Sequence, residues 1–198
     1  MKRQLSSLIY VSFLAVAACG NRGSNGENNA QNQTGADTLA AYDSATMVKD
    51  PTDTTSNYPT TFAVKAGAGG MLEVQLGTLA QQNAQNARVK EFGAMMVRDH
   101  SKANKELMTI AAGKNITIPS TLPEDHQKHL REMKKLKGAE FDEHYMDMMV
   151  DDHKEDIDLF TKGAKNLQDP ELKAFASKTL PILNTHLDSA KAIRSALK

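Results

Sequence analysis

AEFDEHYMDMMVDDHKEDIDLFTKGA, residues 139–164, sets how the rest of the chain is read. Met146, Met149 or Val150, Ile157 and Phe160 recur at helical spacing, and His153 stands in the same row where a further apolar residue is due. The stretch is therefore an amphipathic helix with one polar interruption of its buried stripe. Three other segments repeat the pattern, each with one metal-type residue, Glu73, His100 or His186, inside an apolar row.

Working outward, residues 60–84 form a helix with Phe62, Ala66, Leu72, Leu76, Leu79 and Ala80 on its apolar side. The run Ala66-Gly67-Ala68-Gly69-Gly70 costs helix propensity of about 1 kcal/mol per Gly, so either a kink or a very close neighbour is expected there. A tight turn over 83–86 leads to a second helix, 88–112, with Val89, Phe92, Met96, Ala103, Leu107 and Ile110 as its seam. Gly113 stops it.

A connection of about 25 residues follows, carrying a shorter helix over 123–137 that Gly138 ends. Downstream of the quoted stretch, Asp169-Pro170 starts the last helix as N-cap and first-turn proline. Its seam is Leu172, Ala176, Thr179, Leu183, His186, Ala190, Ile193 and Leu197, and Pro181 inside it is expected to bend it. Two helical hairpins joined by a long connection make an all-α, ferritin-like four-helix bundle, with an extra short helix in the crossover between the second and third long helices.

The midpoints of the four long helices fall near residues 72, 100, 152 and 184. Glu73, His100, His153 and His186 each lie within about three residues of a midpoint, roughly 4 to 5 Å along an axis, so a bundle of similar-length helices puts them in one layer. One carboxylate and three imidazoles are a transition-metal set suited to Zn, Cu or Fe. The rival is a metal-free polar layer in which Glu73 accepts from the histidines. The sequence leaves both open.

Asp99 and Asp152 precede two of these histidines, about 100° around the helix, and read as flanking or surface carboxylates with room to support a ring on a neighbouring helix. Tyr145 reads as a core aromatic, the methionines as core filling, and His126, His129 and His144 as exposed.

The chain begins with Lys2 and Arg3 and an apolar run, Leu8 to Ala18, too short to span a bilayer. Residues 1–18 are read as a lipoprotein signal peptide. Val16-Ala17-Ala18-Cys19 resembles a lipobox, which makes Cys19, the one cysteine, the expected site of lipidation and of a membrane anchor. Gly20 rather than Asp after it favours the outer membrane, with the domain in the periplasm or at the cell surface. Residues 19–57 are rich in Asn, Gly, Ser, Thr and Asp and read as a disordered tether, leaving 58–198 as the folded domain.

With the signal removed the formal charge is about minus two, and no basic run with interleaved aromatics points to nucleic acid. No protein partner can be named. Nor is there a nucleophile–base pair, phosphate loop or cofactor fingerprint, so metal binding is expected rather than turnover of an organic substrate. A redox enzyme on the same site would need an open coordination position.

Gly70-Met71-Leu72-Glu73-Val74, Met96-Val97-Arg98-Asp99-His100 with Ala103-Asn104, Phe141 through Tyr145-Met146 to Asp152-His153, and Leu180-Pro181 followed by His186 together resemble the DUF4142 family. That resemblance implies a ferritin-like fold and an exported, outer-membrane-associated protein, and it implies no reaction. Di-iron ferritin-like proteins carry Glu-x-x-His pairs, whereas Val97, Val150 and Leu183 stand three residues before the histidines here. A mononuclear, histidine-rich centre is the expectation.

Overall fold

The computed structural model describes residues 57–197, so the signal peptide, Cys19 and the stretch read as a tether lie outside the described residues except for Asn57. All regular structure among the described residues is helical: α1 (Tyr58–Asn83), α2 (Ala87–Ala112), α3 (Glu124–Met133), α4 (Gly138–Asn166) and α5 (Pro170–Ala196). The four long helices stand where periodicity places them. The short one ends at Met133, four residues before the expected 137, because the Lys135 and Leu136 N–H groups bond the carbonyls three residues back, on Glu132 and Met133, in a tight turn instead of continuing the helix.

Helix α1 packs along α2 and α4 along α5, and the two hairpins meet through α1 with α4 and α2 with α5. Local chemistry sets the ends. Asn86 caps α2 by accepting from the Arg88 N–H at 2.9 Å, and Asp169 caps α5 by accepting from Glu171 and Leu172 at 3.1 and 2.9 Å. Gly138 opens α4 at φ +61°, a left-handed conformation open to glycine at little cost, and α5 continues through Pro181.

The glycine-rich α1 is explained by close packing. A Cβ on Gly77 would lie 2.6 Å from the Gly93 carbonyl oxygen, and one on Gly93 would lie 2.7 Å from that of Gly77. The two backbones are in direct contact. Another tie is Asp142, buried on α4, whose carboxylate accepts from the Gln85 and Asn86 N–H groups at 3.1 and 2.8 Å. It clamps the α1–α2 turn onto α4.

The apolar core falls into two clusters. One gathers Leu72, Leu76, Phe92, Met96, Phe141, Tyr145, Met149 and Leu187; the other Phe62, Leu107, Phe160, Leu172, Phe175 and Leu183. On α2, α4 and α5 the buried histidine falls at the border between the two, while Glu73 on α1 lies between Leu72 and Leu76 of the first.

Candidate metal centre

Glu73, His100, His153 and His186 are all buried, at 1, 6, 0 and 2 % exposure. The structure brings them together. Ring centroids of the three histidines lie 5.3 to 5.6 Å apart, and one donor atom from each falls within 4.8 Å of the others.

Two protons are placed by acceptors that cannot donate. His153 Nδ1 lies 2.9 Å from the Met149 carbonyl oxygen, and His186 Nε2 lies 3.1 Å from Asp99 Oδ2. Hydrogen bonding from Arg98, with His186 contributing, holds the Asp99 carboxyl below its usual range, so it is ionised and accepts. Each ring therefore carries its proton on the outer nitrogen. The inner pair, His153 Nε2 and His186 Nδ1, face one another at 3.3 Å as lone pairs.

Glu73 stands against the rings' other edges. Its Oε2 is 2.8 Å from His100 Nδ1 and its Oε1 is 3.3 Å from His153 Nδ1, but neither approach has hydrogen-bond alignment, leaving both oxygens buried without a donor. Glu73 is thus outside the three-histidine donor set and beside it. His100 Nε2 is also buried and unpartnered.

Burial keeps the rings uncharged. It pulls His153 down to about 4, with Glu73 opposing and His100 and His186 adding to the fall, and it pulls His186 to about 4 and His100 downward as well. The same burial pushes Glu73 up to about 7, against the pull of His153.

Several neighbours differ from the sequence reading. Asp99 does support a ring on another helix. Asp152 is half-buried, not on the surface, with Oδ2 sealed and unpartnered, and burial followed by Glu73 lifts its carboxyl to about 8. Tyr145 is the expected core aromatic, stacked on Phe141, yet its hydroxyl is buried without a partner. His126 is half-buried with Nδ1 enclosed, while His129 and His144 are exposed as expected. Asp156 was not singled out at all; its i+3 spacing from His153 was the available signal.

An all-helical protein with three convergent imidazoles sealed between two apolar clusters defines a helical protein with a candidate metal centre in its core. More particularly, the chain belongs to the DUF4142 family, a domain of unknown function, which it matches over residues 44–193. That match begins inside the stretch read as tether. Among solved structures the chain is similar to a secreted DUF305 protein from Streptomyces coelicolor, with 9 % identity and a TM-score of 0.61 over 71 % of this chain and 93 % of that one. The likeness is one of fold. No curated protein matches the chain.

Proposed function

We propose that this chain is an exported, ferritin-like four-helix-bundle protein that binds one transition-metal ion through His100, His153 and His186, with the Glu73 carboxyl beside them. One observation carries the reading: two lone pairs, on His153 Nε2 and His186 Nδ1, face each other at 3.3 Å in the core. Such a contact is repulsive unless a cation lies between, and burial opposes a proton there. Two nitrogens on one tetrahedral ion at about 2.0–2.1 Å are themselves separated by about 3.3–3.4 Å. His100 would join through Nε2, its unpartnered nitrogen, since Glu73 occupies the Nδ1 side.

The donor set suits Zn, Cu or Fe, and a fourth position is left for water. Export is supported by the apolar run ahead of Cys19 and by the fold shared with a protein described as secreted. No helix among the described residues is long and apolar enough to cross a membrane. Acylation at Cys19 then supplies the tie to the outer membrane, with the bundle in the periplasm or at the cell surface.

Metal analysis of the purified protein, stripped with chelator and reloaded with Zn²⁺, tests the centre. One ion per chain is expected, with a melting temperature that rises on loading. No stoichiometric ion and no thermal shift would leave a metal-free polar layer in a structural module of the envelope. Mass spectrometry of the mature protein tests the anchor: an unmodified Cys19 thiol would refute it.

A further inference from the structure

Each of the three rings has a different support on its outer side. His153 Nδ1 is held within its own helix by the Met149 carbonyl oxygen at 2.9 Å, and His100 Nδ1 lies 2.8 Å from the buried Glu73 Oε2. His186 depends on another helix: its Nε2 lies 3.1 Å from Asp99 Oδ2, on α2. Asp99 is in turn gripped by Arg98, which donates to its two oxygens through Nε and a terminal nitrogen at 2.8 Å each. Side-chain exposure rises from 2 % at His186 to 24 % at Asp99 and 69 % at Arg98, so of the three supports this one reaches solvent.

A neutral imidazole with its proton on one nitrogen offers the other as a lone pair, and the hydrogen-bond partners decide which is which. Without Asp99, the His186 proton has a second place to go: Nδ1, from which it would be donated across 3.3 Å to His153 Nε2. Two opposed lone pairs would then become a hydrogen bond, and the two nitrogens an ion needs free would satisfy one another. His153 cannot be the donor in that bond, because its own proton is held on Nδ1 by the Met149 carbonyl. A carboxylate opposite Nε2 wins the competition, since a hydrogen bond to a charged acceptor is roughly twice as strong as one between neutral groups.

We propose, resting on the three-histidine reading of the centre, that Asp99, clamped by Arg98, is the positioning residue that keeps the centre open for its ion: by holding the His186 proton on Nε2 it stops that ring from donating to His153. Asp99 does not touch the ion. It places a negative charge behind one ligand of a divalent cation, an arrangement in which loss of the outer carboxylate lowers metal affinity by about 10- to 100-fold. Consecutive residues of α2 therefore divide the work, His100 supplying a ligand nitrogen and Asp99 supporting the one on α5.

Asp99→Leu and Asp99→Asn in the full chain test this, each read in two ways. In chelator-treated protein, long-range proton–nitrogen NMR of the imidazoles gives the tautomer of each ring. Wild type is expected to hold His186 as the Nε2–H form and Asp99→Leu to move it to Nδ1–H, with His153 remaining Nδ1–H in both. Competition with a chromophoric chelator then gives the Zn²⁺ affinity, expected to fall about 100-fold in Asp99→Leu and about 10-fold in Asp99→Asn, which keeps the shape and an acceptor oxygen without the charge. Circular dichroism checks the fold, and the affinity of Asp99→Asn decides the matter if leucine disturbs α2. Retention of the Nε2–H form by folded Asp99→Leu, or a Zn²⁺ affinity within about threefold of wild type in the folded variants, overturns the role of Asp99. A wild type that takes up no Zn²⁺ instead refutes the centre itself, and this role with it.

Discussion

Replacing Glu73 by Gln tests the electrostatics of the core directly. The carboxyl is raised from 4.5 to about 7 by burial, and it has no aligned donor. A group that binds its proton more tightly when folded stabilises the fold below its unfolded value and loses that contribution as pH rises through the folded one. In metal-free protein the wild type should therefore be penalised progressively between about pH 4.5 and 7. At about 1.4 kcal/mol per pH unit across that window the penalty reaches about 3 kcal/mol, fully present by pH 8. Glutamine has the same shape and no charge to bury. Urea unfolding of chelator-treated Glu73→Gln and wild type should give equal stabilities near pH 4.5 and a variant more stable by about 3 kcal/mol at pH 8, or roughly 10 °C in melting temperature. A difference that did not change with pH, or a variant less stable at pH 8, would refute the claim that Glu73 is a buried carboxylate held without compensation in the apo protein.

Other consequences are as direct. His153→Leu should abolish Zn²⁺ binding and with it the stabilisation of about 2.7 kcal/mol expected at a hundredfold excess over the dissociation constant, while the apo protein melts within about 1 kcal/mol of wild type because a lone-pair clash is exchanged for an apolar contact. Calorimetry with and without metal reads both. Asp142→Ala removes the acceptor of the Gln85 and Asn86 N–H groups and should cost about 2 to 4 kcal/mol by urea unfolding, with faster hydrogen exchange confined to the α1–α2 turn. Gly77→Ala forces a methyl into the Gly93 carbonyl and should destabilise by about 1 to 3 kcal/mol. A neutral Gly77→Ala would show that the helices can part there without loss.

Depth in the layer was legible before any coordinates. Glu73, His100, His153 and His186 were found because each breaks an apolar row near the middle of its helix, and the structure buries all four. Their individual roles were not legible. Glu73 stands with the histidines in the sequence reading, yet its oxygens face Nδ1 edges beside the three-imidazole set. Asp99 and Asp152 looked alike, each one residue before a histidine; one ends on a ring nitrogen of α5 and the other is half-buried with its Oδ2 enclosed and unpartnered.

Helical periodicity is a property of neighbours along the chain, so the sequence by itself determined the long helices, the Asp169 cap of the last one and which row of each turns inward. Two things depended on how the helices are rotated and pressed together, which periodicity leaves free. One is the contact of Gly77 with Gly93 that sets the α1–α2 distance. The other is the pairing of each ring's outer nitrogen with Met149 or Asp99, which leaves lone pairs facing inward. Residues on the edge of a stripe, such as Asp142, Asp152 and Asp156, are buried or exposed by a few degrees of that rotation. Only the tertiary structure decided them.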